Sequence, residues 1–154
     1  MLEIGKRKLL AHNTMAKGTK EIHFEEHIEN YLTTIDKYNS IDAKDYDKDL
    51  CLLPKVLIKF IKESQPNQYR ALEDQYGSSV DTKITENVAK NISRRKTLEV
   101  LRNGIMDRGQ QINLAFFKPS NNKTPEHELA YEQNQLSIVR QLKYSKRNKG
   151  VNYV

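Results

Sequence analysis

The sequence predicts an α/β fold that is α+β by chain order, with helices first and strands after. Two observations carry this reading. Apolar residues recur at helical spacing from Phe24 to Leu101, and beyond Gly104 the period changes to alternation at Ile112, Leu114 and Phe116. With 154 residues, 37% hydrophobic, 30% charged and no tryptophan, the chain is long enough for one domain but is expected to have a thin core.

Residues 1–20 mix Lys6, Arg7 and Lys8 with Gly5 and Gly18 and show no sustained period; they are expected to be a loose leader to a domain spanning 21–154. From Glu21, the positions Phe24, Ile28, Tyr31, Leu32 and Ile35, with Glu25, Glu26 and Glu29 on the other flanks, predict an amphipathic helix. Residues 36–49 are acidic and turn-rich. Leu53, Val56, Leu57, Phe60 and Ile61 then form a second helical stripe with Pro54 in its first turn. Residues 66–76 read as a third helix closed by Gly77. Asp81 is expected to cap a long fourth helix through Ile84, Val88, Ile92, Leu98 and Leu101, which the polar run 91–96 can interrupt and Gly104 ends.

The alternation over 112–117 predicts a strand, broken by Lys118 and Pro119. Residues 120–126 read as a polar loop containing Pro125, and 127–135 as a mixed segment. Residues 136–144 return to strand-like sequence around Ile138 and Val139, and 146–150 form a basic turn. Asn152, Tyr153 and Val154 look like the opening of another strand, so the chain is expected to be a piece cut before its central strands.

The net charge of +6 is unevenly placed. Residues 1–77 hold 12 Lys and Arg against 13 Asp and Glu, whereas 78–154 hold 14 against 7. A basic half suggests a polyanion such as nucleic acid, because cations that neutralise phosphates release condensed counterions; the competing reading is a solvated basic face. Cys51, the only cysteine, lies between Leu50 and Leu52. It is expected to be a small buried hydrophobe, and one thiol builds neither an internal disulfide nor a thiolate zinc site. With no membrane-spanning apolar stretch and no secretory signal, a cytoplasmic location is expected.

Arg140, Lys143, Lys146, Arg147 and Lys149 place five cations in ten residues without an acid, with Tyr144 among them. Such a strand and turn can track a phosphate backbone, or be solvated turn residues. Arg94 and Arg95, followed by Lys96, form a smaller cluster read either as a DNA contact or as an exposed helix face, and Arg102 among apolar residues is expected to anchor an internal ion pair. His23, Glu26 and His27 match H-x-x-E-H, in which two histidines one turn apart can hold zinc while the glutamate polarises water. Catalytic zinc needs a third protein ligand, and neither His12 nor His127 is nominated by its context; a solvent-facing pair is the competing reading. No phosphate-cradling G-x-x-x-x-G-K-[ST] loop and no G-x-S-x-G elbow is present.

The segments F-E-E-H-I-E-N-Y-L, L-E-V-L-R-N-G-I, A-F-F-K-P-S-N-N and Y-E-Q-N-Q-L-S-I-V-R-Q-L-K-Y-S occur here in this order. In these the chain, from about Lys20 onward, resembles the N-terminal nuclease region of the restriction (motor) subunit of type I restriction-modification enzymes. The resemblance implies an incomplete D…E-x-K mixed sheet flanked by helices, in which an acidic pair binds a divalent metal and a lysine stabilises charge. The aspartate would follow the strand opening at Asn152, Tyr153 and Val154, so the aspartate and the E-x-K strand are outside this chain, which is expected to be inactive alone. Glu25 is the best match to a helix glutamate that supports such a metal site. The resemblance further implies, for the intact subunit, ATP and magnesium, double-stranded DNA as substrate, and methylation and specificity subunits as partners; this chain holds no cofactor of its own. A DNA- or subunit-binding module is the alternative, and a zinc hydrolase a third.

Overall fold

Residues 21–34 form helix α1 in the computed structural model, which describes residues 21–119 and 125–142. The chain divides into two compact units, one made of Met1–Ile41 with Leu136–Arg140, the other of Asp42–Gln135 with Gln141–Val154. The described residues are mixed α/β, mostly helical with a few short strands.

In the first unit, α1 closes where the Tyr38 amide donates to the Leu32 carbonyl at 3.0 Å, and Lys37 at φ 57° turns the chain into β1 (Asn39–Ser40). β1 pairs in parallel with β4 (Ser137–Ile138), Asn39 against Ser137 and Ser40 against Ile138. β4 is far shorter than the strand expected over 136–144. Residues 139–142 carry no ladder, and Gln141 turns the backbone at φ 51°; Lys143 and Tyr144 lie outside the described residues.

The second unit opens with capped turns. The Asp42 carboxylate accepts the Lys44 amide at 2.9 Å, which holds its pKa below the ordinary value. The Asp47 side chain accepts the Asp49 and Leu50 amides at 2.8 and 3.0 Å, and its backbone bridges to Leu52. This tight loop puts Cys51 at φ 54° and turns it outward, while Leu52 packs against the core. Cys51 is therefore exposed, contrary to the buried position expected from its apolar neighbours.

Helices α2 (Pro54–Ser64) and α3 (Pro66–Tyr76) each begin on a proline, whose missing N–H costs nothing in a first turn. Gly77 ends α3 at φ 59°. Helix α4 (Val80–Arg95) starts one residue before Asp81, so Asp81 is not its cap. Instead, the Asp81 carboxylate accepts the Tyr69 hydroxyl at 2.6 Å and pairs with Lys62 at 3.2 Å. The fourth stripe breaks at Lys96, φ 70°, inside the run 91–96, and continues as α5 (Thr97–Asn103). Ile61 of α2, Leu72 of α3, Ile84 and Val88 of α4, Val100 of α5, and Ile105 and Ile112 are fully buried together.

Gly104 ends α5 and starts a hairpin that the sequence reading did not contain. Here β2 (Ile105–Asp107) pairs antiparallel with β3 (Gln110–Ile112). Arg108 and Gly109 at φ 43° and 82° make its two-residue turn, the conformation that matches strand twist. The strand expected over 112–117 is not one beyond Ile112. Its alternation records the packing of Leu114 and Phe116 against the core, while the backbone there meets side-chain amides instead of a neighbouring strand. The Gln65 amide exchanges two hydrogen bonds with Asn113, at 2.7 and 2.8 Å, and the Asn134 amide two with Phe116, at 2.9 and 2.6 Å. Helix α6 (Pro125–Glu132) replaces part of the expected loop and mixed segment, again with proline first. Among the described residues, no helix is long and apolar enough to cross a membrane.

Candidate functional site

The first unit gathers polar groups at the C-terminal ends of its two parallel strands. Glu29 projects from α1, and its Oε2 pairs with Arg140 Nε at 2.9 Å, just past β4. Glu29 Oε1 accepts the hydroxyl of Ser40, the last residue of β1. The Glu29 side chain is only 21% exposed, so this charge is stabilised by the guanidinium rather than by bulk water. Arg140 Nη1 and Ser137 Oγ are buried without a hydrogen-bond partner among the described residues. Arg140, read from sequence as a phosphate contact, thus turns one nitrogen to an internal acid. Glu29 was invisible as the partner of Arg140 because more than a hundred residues separate the two, and sequence offers no signal for that pairing.

Glu25 is half-buried on the helix. His23 Nδ1 lies 3.4 Å from Glu26 Oε2, with both side chains largely exposed, and His27 is exposed as well. Among the described residues, no group of three or more His, Cys, Asp or Glu side chains is placed to hold a metal ion, so His23, Glu26 and His27 gain no third ligand there.

At the junction of α4 and α5, Arg95 is a brace. Its Nε pairs with Glu99 at 2.9 Å and its Nη1 donates to the Gly104 carbonyl at 3.1 Å. Arg94 is exposed. Arg102 is also exposed and forms no ion pair among the described residues, unlike the internal anchor expected of it; α5 turns its Val100 side, not Arg102, into the core. Lys143, Lys146, Arg147 and Lys149 lie outside the described residues.

A groove of about 790 Å³ runs beside α2 and α4, with Leu50, Pro54 and Ile58 as its apolar part. Lys62 stands 4.7 Å over the Tyr69 ring, and the Tyr69 hydroxyl, with Asp81 adding to it, raises the lysine above its ordinary value. Burial raises the Tyr69 hydroxyl in turn. Sequence periodicity placed Ile58 on no helical stripe, so the groove was not foreseen. Set against protein-family models, curated proteins and solved structures, the chain matches none.

Proposed function

We propose that this chain is the N-terminal part of the restriction (motor) subunit of a type I restriction-modification enzyme. The intact subunit would translocate double-stranded DNA with ATP and cleave it with magnesium, alongside methylation and specificity subunits. The observation that carries this reading is the composition of the first unit. It joins F-E-E-H-I-E-N-Y-L to L-S-I-V-R, two segments of the resemblance, through the Glu29–Arg140 pair, beside the parallel pairing of Asn39–Ser40 with Ser137–Ile138. A parallel pair closed by a long helical crossover is how a mixed sheet flanked by helices begins. In this reading β1 and β4 are strands of the incomplete D…E-x-K sheet.

Among the described residues the acids of α1 join no group of three or more metal-ligating side chains, and Glu29 is engaged with Arg140 and Ser40. In this reading the chain alone is expected not to cleave DNA. The test is to extend it through the codons that follow Val154, combine the product with methylation and specificity subunits, and assay unmethylated circular DNA. Cleavage that needs both ATP and magnesium supports the reading, and an assembled complex that leaves the DNA intact overturns it. The charge asymmetry favours a second reading, a DNA-binding module.

A further inference from the structure

Between Glu86 and Asp107 the chain carries five cations, Lys90, Arg94, Arg95, Lys96 and Arg102, against one acid, Glu99. The fold concentrates them. Lys90 and Arg94 are four residues apart on α4 and share a face, Lys96 is the elbow between α4 and α5, and Arg102 is in the last turn of α5. The bond from Arg95 to the Gly104 carbonyl brings the end of α5, and Arg102 with it, back beside the end of α4. Arg95 is also the cation that neutralises Glu99. Lys90, Arg94, Lys96 and Arg102 are all exposed and form no ion pair among the described residues.

Cations in a last helical turn offset the helix dipole, which accounts for Arg94 and Arg102 but not for Lys90, a turn further in, or for Lys96 in the elbow. We infer that the α4–α5 elbow is a docking surface for the phosphate backbone of double-stranded DNA, contacted by Lys90, Arg94, Lys96 and Arg102 and shaped by Arg95 as a positioning residue. Ser93, Thr97 and Asn103, all exposed around the elbow, add the uncharged donors that phosphate oxygens accept. The inference rests on the proposed reading for its choice of DNA among polyanions, but its test does not depend on cleavage.

The test is fluorescence anisotropy of the full 154-residue chain on a labelled DNA duplex at several salt concentrations. Four phosphate contacts predict a roughly 100-fold loss of affinity between about 50 and 200 mM salt. Lys90→Ala with Arg94→Ala, and separately Lys96→Ala with Arg102→Ala, are each expected to make the log–log salt slope shallower by about two. Lys48→Ala with Lys118→Ala, exposed lysines elsewhere, are expected to leave it unchanged, with thermal midpoints of all variants compared to establish folding. A wild-type slope in both folded elbow variants overturns the inference. So does a chain that ignores DNA but binds phosphatidylserine vesicles through the exposed Leu98 in the same elbow. Failure of the extended chain to cleave, with the elbow slopes as expected, would sink only the nuclease-subunit reading.

Discussion

Single residues carry much of the specificity of this small fold, and two glycines show how. A Cβ at Gly104 would lie 2.3 Å from the Ile112 carbonyl oxygen, in a backbone conformation with φ 62°. At Gly109, φ 82°, nothing lies within 4 Å. Gly104→Ala is therefore expected to destabilise by about 3 kcal/mol or more, because the hairpin must move away as well as accept strain. Gly109→Ala carries the backbone cost alone, about 1 kcal/mol. Urea unfolding of the two variants checks the order, and equal losses would contradict it. Three tyrosines set a pH limit. Burial and the Cys51 thiol push the Tyr46 hydroxyl up to about 12, burial raises Tyr69, and the hydrogen bond to Asp107 raises Tyr76. Each keeps its proton more tightly folded than unfolded, so its stabilisation is whole below the unfolded value of about 10 and is lost as pH rises through the folded one. The urea midpoint is expected to hold steady across neutral pH and fall between about pH 10 and 12; a midpoint unchanged over that range would contradict it.

At the scale of elements, the helices through α5 were legible, whereas α6 was read as loop and mixed segment and, of the strands, only β4 lies wholly within an expected one. The 3.6-residue stripes of α1 to α5 depend on side chains a turn apart, and Pro54, Pro66, Gly77 and Gly104 punctuate them locally. Strands depend on partners that local sequence does not name. The alternation at Ile112, Leu114 and Phe116 was read as a ladder, yet Gln65 and Asn134 supply the backbone partners beyond Ile112. Those two amides are as consequential as a strand would be. Gln65→Ala removes both bonds to Asn113 from a side chain on a residue only 4% exposed, and about 1–3 kcal/mol of stability is expected to go with it. Asn134→Ala is expected to act similarly at Phe116. Hydrogen exchange at the Asn113 and Phe116 amides reads the two effects separately, and protection that survives both substitutions would show that other groups hold this segment. The candidate site follows the same rule in part: Arg94, Arg95 and Arg140 stood out as a charge pattern, and while Arg95 finds its partners within nine residues, that Arg140 pairs with Glu29 depends on distant chain.

At the scale of the whole molecule, the fully buried residues among those described are confined to one unit. Every buried residue of the core lies between Ile58 and Ile112, whereas no described residue of the first unit is buried. Amides of α1 and β1 are therefore expected to exchange faster than those of α2 and α4, through openings that leave the core intact; equal protection would contradict this. The parallel pair in the first unit also constrains the order of events during synthesis. The Asn39 side chain reaches Leu136 across 97 positions of sequence, whereas α2 to α5 and the hairpin meet near neighbours. As the ribosome delivers the chain, the helical core can close from what has already emerged, and β1 must wait unpaired until β4 leaves the exit tunnel. A pause in translation between those points would lengthen the interval in which the β1 edge is open to wrong partners.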